Sequence, residues 1–336
     1  MHAKMRVRPK ATPSGSRRFS ILRAILIPIT AAWVAMGTAP PIHAQELPEP
    51  RTRVLNGHHF IPSSNLSDPF ILTWVRQTTG VGSAQNVTTT IEDVDSTDVS
   101  FSGDVTFVGL DFGFQQAFND WFAAFVIAGG GGRIGTDAST ILTTGVNAIF
   151  DFTLGGKFRL WRNRNFFLAG SIDYTNSGVS GVDIIGWARN VVETGEFSDS
   201  ALVSKKSTGN FRGGLNMSYA PAPWIGITAL TLFGIGNAVG DLDSEFAFAG
   251  QLFTDIDLKP ITPVPVGFLL GVDRNTFSQQ GGDITQSINT FNFGIFYTGR
   301  DDFSIGLESQ TSKIPIPGLD ENVTSSRGSI NIKYWF

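Results

Sequence analysis

Four histidines, a glycine-rich run and the absence of cysteine set the chemistry open to this 336-residue chain. The imidazoles are His2, His43, His58 and His59. The first two lie in a stretch that reads as removable, so the pair at 58 and 59 is what a mature chain keeps. A histidine-activated nucleophile needs its base within hydrogen-bond reach. Here that base would come from a segment ahead of the first predicted strand, and no catalytic residue is assigned. Adjacent side chains seldom chelate one ion and no acidic partner stands close in sequence. The pair therefore reads as surface histidines, and neither a metal site nor a cofactor is expected. With no cysteine, disulfides, thiolate metal sites and cysteine nucleophiles are excluded together. "AGGGGRIG" (Ala128 to Gly135) lacks the Lys-Ser or Lys-Thr of a phosphate loop and no helix is predicted after it, so it reads as a flexible loop.

The elements that would carry such residues announce themselves by alternation. In "IFDFTLGGKFRLW" from Ile149, Phe150, Phe152, Leu154, Phe158 and Leu160 share one face while Asp151, Thr153, Lys157 and Arg159 share the other. A period of two means strand. The same pattern returns in "FFLAGSIDY", "NFRGGLNMSY" and "GQLFTDIDL". Short links at Phe118–Asp120, Arg162–Asn165, Ala220–Pro223, Lys259–Pro263 and Gly299–Asp302 alternate with longer polar ones. The longer links are Ser83–Gly103, Gly129–Ser139, Asn176–Ser207, Asn237–Ser244, Thr276–Gln286 and Ser312–Arg327. Two strands per short turn, one near Pro69–Thr79 and one at the end give twelve.

Ahead of this pattern, Lys4, Arg6, Arg8, Lys10, Arg17, Arg18 and Arg23 precede an apolar run, Ala24 to Met36, and a small-residue site at Ile42–Ala44. That is the form of a cleaved secretory signal over residues 1–44, too short in its apolar part for a spanning helix. Its loss leaves 18 basic against 29 acidic residues, a net charge of −11, which disfavours nucleic acid as a partner. Residues 45–68 form a polar stretch with three prolines. It reads as a periplasmic arm, as a plug that enters the barrel, or as a disordered lead-in. Residues 69–336 are the barrel.

The predicted fold is all-β: a transmembrane antiparallel up-and-down barrel with short turns on the periplasmic side and long loops outside. A soluble sandwich also alternates, but Trp121, Trp161 and Trp224 adjoin three short turns and Trp335 sits at the terminus, an interfacial girdle of aromatic rings. In "SINIKYWF", Ile330, Ile332, Tyr334 and Phe336 take one face and Ser329, Asn331, Lys333 and Trp335 the other. Here the chain resembles Gram-negative outer-membrane barrel proteins, whose last strand ends in Phe with apolar or aromatic residues two and four positions earlier. Ile332, Tyr334 and Phe336 match, and the resemblance implies recognition by the barrel-assembly machinery. Length and strand count resemble the twelve-stranded transporter-like barrels of the phenol-degradation MetA-pathway type. Known barrel enzymes of the outer membrane resemble one another in using a histidine, and this chain offers them none within the barrel.

The alternation directs Asp111, Asp151, Lys157, Arg159, Asp173, Arg212, Gln251, Asp255, Asp257, Glu308 and Lys333 into the lumen, since Lys or Arg facing lipid at mid-membrane would cost about 2–4 kcal/mol. Such a lumen is either a water-filled path or an interior filled by paired charges. The acidic group Glu92, Asp93, Asp95, Asp98 and Asp104 reads as a solvated loop, with a divalent-ion bridge to lipopolysaccharide as the alternative. The functional expectation is a non-enzymatic channel or transporter in the cell outer membrane for an unknown small solute. Its partners would be outer-membrane lipid, lipopolysaccharide and the assembly machinery. The alternative is a structural or surface-interaction barrel with a filled lumen and ligand-binding loops.

Overall fold

The computed structural model describes residues 52–91, 99–135, 146–182, 203–237, 244–278, 285–314 and 323–336. The proposed signal, the first part of the arm, and Glu92, Asp93, Asp95 and Asp98 lie outside them; Asp104 is an exposed strand residue. Two short strands, β1 (Val54–Leu55) and β2 (His58–His59), pair in a hairpin. Twelve long strands follow: β3 (Trp74–Ile91), β4 (Val99–Ala117), β5 (Phe122–Gly135), β6 (Val146–Arg162), β7 (Phe166–Val182), β8 (Val203–Ala222), β9 (Ile225–Asn237), β10 (Ser244–Asp257), β11 (Val266–Ser278), β12 (Thr285–Tyr297), β13 (Phe303–Ile314) and β14 (Val323–Trp335). Each pairs antiparallel with the next, and β14 returns to β3 with Trp335 opposite Trp74, closing the barrel. Closure leaves no unpaired sheet edge.

The short turns are built by their own side chains. Asn119 Oδ1 accepts the backbone N–H groups of Trp121 and Phe122, and Asn163 Oδ1 those of Asn165 and Phe166. These are Asx turns, the reason Asn is favoured at such links. The other ends differ from expectation, because the strands run well into the predicted long links. The glycine run is strand: all of Ala128 to Gly135 lies in β5. Gly129 pairs with Asp111 on one side and Asp151 on the other, and both carboxylates lie over it where a Cβ would collide with them. The glycines make room for neighbouring acids; they do not loosen a loop.

Facing follows the alternation along most of the barrel. Phe150, Phe152, Leu154, Ile172, Leu215, Leu252, Leu307, Ile330 and Ile332 are all exposed on the outer face. Trp121, Trp161 and Trp224 are exposed beside short turns. Trp161 reaches the outside only because β6 carries a bulge between Arg159 and Trp161, which puts Leu160 and Trp161 both outward. Trp335 corrects the girdle. No bulge interrupts β14, so Trp335 shares the inward face with Lys333, is 7% exposed, and has the Arg53 guanidinium 4.0 Å from its ring centre.

Candidate functional site

The interior is where the chain concentrates its polar chemistry, and the short-turn half of it is occupied by residues 52–73. This arm runs up into the bore, docks on the wall, and leads back into β3. Its apolar side chains Leu55, Phe60, Phe70, Ile71 and Leu72 form one cluster with Trp74, Ala117, Phe167 and Trp335. Ile61 and Leu66 form a second with Leu230, Leu232, Phe253, Leu269 and Phe296. One void between arm and wall, lined by Arg53, Phe60, Ser63 and Asp68 among others, is about 20 Å³, room for about one water. The inward-facing Leu230, Leu232, Phe253, Leu269, Phe296 and Phe167 are thus the part of the wall on which the arm's apolar side chains pack.

Polar wall residues hold the arm's backbone and its few polar side chains. Asp255 Oδ2 accepts from His58 Nε2 at 2.6 Å and from the Ile61 N–H at 3.1 Å. Glu308 accepts from the Ser64 N–H at 2.9 Å and from its hydroxyl, and Asn331 donates to the same carboxylate. Arg76 donates to Ser64 O at 3.0 Å, Gln251 to Asn65 O at 2.9 Å, and Gln115 to the carbonyls of Phe70 and Leu72. Asn65 donates to Asn292, which donates in turn to Asp273. At Asp68, Lys333 Nζ meets the carboxylate at 2.6 Å and Lys157 donates to the backbone carbonyl. Burial alone would raise the Asp68 carboxyl, but the Lys333 and Lys157 ammonium groups hold it below its ordinary value. Burial pulls His59 below the usual imidazole range against Asp301, 3.6 Å away.

Above the arm the bore is a polar vestibule. Arg212 Nε bonds Asp173 at 2.8 Å and its Nη2 reaches Thr175 at 3.1 Å; Arg327 approaches Asp111 at 3.4 Å, with Asp151 across Gly129. Asp257 sits at the other end, accepting from Thr298 and from the Lys259 N–H. Arg159 lies on the same inward row as Lys157, at the short-turn end. The eleven residues predicted to face inward thus divide between a ring that grips the arm, a vestibule, and a rim at the short-turn end. Sequence reasoning missed Arg76, Gln115, Asp273, Asn292 and Arg327, which the same alternation could have found. It had no signal for Asp68.

His58 corrects the surface-pair reading. It is fully buried, and an acidic partner absent from its sequence neighbourhood arrives from 197 residues away. Its Nδ1 lies 3.3 Å from Pro223 O, so both ring nitrogens face acceptors and neither is aimed at a hydroxyl it could deprotonate. Among the described residues no three His, Asp or Glu side chains gather to hold a metal.

No family model matches the chain, and no curated protein sequence matches it. Solved structures do. The fold is similar to an outer membrane channel from Pseudomonas putida F1, with 11% identity and a TM-score of 0.52 over 82% of this chain and 100% of that one. The translocator domain of the autotransporter NalP from Neisseria meningitidis gives 10% identity and 0.48 over 95% and 97%. The Pseudomonas putida toluene transporter TodX gives 11% and 0.40 over 78% and 90%. The fold is thus a closed twelve-stranded antiparallel barrel of the outer-membrane type.

Proposed function

We infer that the chain is an outer-membrane channel or transporter, non-enzymatic and without a cofactor, that passes a small solute through a bore which its own arm closes. One observation carries this: the filling is a segment outside the twelve-stranded sheet, lying on a wall rich in ionic and amide groups. Without the arm, Lys157, Asp255, Asp273, Glu308 and Lys333 would meet water. A wall meant only to be filled gains little from ionic groups, because well-packed apolar replacements are often as stabilising. Twelve strands about 4.8 Å apart and tilted about 40° give a backbone diameter of about 24 Å, so a vacated bore has space for a water path. In this reading the short turns face the periplasm, lipid and lipopolysaccharide surround the outer face, and the assembly machinery inserts the barrel.

Planar-bilayer recording tests it. The intact protein should open intermittently, and a variant lacking residues 52–68 should conduct steadily. An assembled deletion variant that passes neither ions nor solute would overturn the reading. The close fit of the arm favours one alternative, a surface-interaction barrel with a permanently filled lumen. That alternative predicts no openings and no solute uptake from the intact protein.

A further inference from the structure

On the outer face of β10–β13 the apolar surface ends in a row of polar side chains. Register aligns Arg274, Asn289 and Lys313 on three adjacent strands, so the two cations flank the amide at about 10 Å from end to end. Both are exposed, and neither has a carboxylate partner among the described residues. They are also the charged side chains that this part of the outer face carries among those residues. A groove of about 830 Å³ runs across this row, from Phe248 and Ser287 on its long-link side to Leu252, Val272 and Phe291 on its short-turn side. Gly250, in register with Arg274, contributes only backbone to it. Arg274 stands eight residues beyond Val266, about 26 Å along the strand and about 20 Å above the short-turn end after tilt. That is close to the far edge of an apolar band about 25 Å tall.

We propose that this is a binding site for a phosphorylated glycolipid of the outer leaflet, its phosphate between Arg274 and Lys313 and an acyl chain in the groove. Two cations without a carboxylate partner among the described residues, in a protein of net negative charge, complement a phosphate. A guanidinium beside an ammonium suits an anion with several acceptor oxygens. The groove supplies the apolar half of an amphiphile, and the row's height on the long-link side selects the outer leaflet. The proposal rests on the functional reading only in requiring that the barrel span the membrane.

The test is binding of hexa-acylated lipid A to the refolded full chain in detergent, read by native mass spectrometry. Its bis-dephosphorylated form and phosphatidylglycerol serve as comparison ligands. The Arg274→Gln/Lys313→Gln variant should bind lipid A at least tenfold more weakly. The dephosphorylated lipid should bind the unaltered protein correspondingly weakly. Gly250→Leu, whose side chain would press on the Phe248 ring and fill the groove beside Arg274, should weaken binding while both charges are retained. Heat-modifiable migration confirms folding, and channel recordings should be unchanged because neither cation faces the bore. Unaltered lipid A binding in both variants, or equal binding of phosphatidylglycerol, would overturn the assignment while leaving the transport reading intact.

Discussion

At Asp68 the carboxylate pairs with the buried Lys333 of β14 and the backbone carbonyl accepts from the buried Lys157 of β6, at a point where the arm turns toward the first barrel strand. Breaking a buried pair by removing one partner costs about 3–5 kcal/mol, because the remaining charge stays out of water. In Asp68→Ala Lys333 loses its hydrogen-bonded partner, while Lys157 keeps the backbone carbonyl but loses the neighbouring negative charge, and both lie against aromatic rings of the interior. The easiest relief is for the arm to leave and water to enter. Trypsin should therefore cut after Arg53, now buried, at least tenfold faster in the variant, since cleavage of a transiently opened segment follows its open population. An unchanged rate would mean that the apolar contacts alone retain the arm. Nothing around Asp68 in sequence announces this role: its partners lie 89 and 265 residues away. His58 was hidden for the same reason, its histidine legible and its buried partner not.

Strands were legible because lipid on one side and polar interior on the other impose a period of two, and a wrong-facing charge is costly. The same rule makes a test within β6: Phe152→Arg should lower stability by about 2–4 kcal/mol in urea unfolding from bilayers, whereas Asp151→Asn should stay close to neutral. Comparable losses would mean that the register is wrong. Alternation misled at two kinds of place. A bulge shifts phase, which turned Trp161 outward; at Trp335 the alternation, which grouped it with Lys333, held and the girdle reading did not. Glycine carries no facing information, so a run of it looked like a loop until its neighbours' carboxylates supplied the reason for it. The arm has neither period nor partner in its own neighbourhood, so its docking on β6, β10, β13 and β14 is tertiary information. Phe253 and Phe296, inward against the arm's Ile61 and Leu66, are apolar for the same reason.

The state of the whole molecule depends on whether residues 57–73 can leave the bore while still joined to β3, and a covalent tether addresses that directly. Gly57, in the β1–β2 turn, lies beside the β8–β9 turn, and a Cβ built on it would be 3.5 Å from Pro223 Cβ. That falls in the 3.5–4.5 Å range a disulfide requires. Gly57 has φ of 82°, so a cysteine there costs about 1–2 kcal/mol of backbone strain, tolerable beside the many contacts of the arm. The chain has no other cysteine to scramble with. In Gly57→Cys/Pro223→Cys the oxidised protein should hold the arm at both ends and remain closed in planar bilayers. Adding dithiothreitol should restore the intermittent openings expected of the parent. Either single variant should ignore the reductant, which separates tethering from any effect of losing Pro223. If oxidised and reduced forms conduct alike, solute does not pass by way of the space the arm fills, and the arm is a permanent part of the wall.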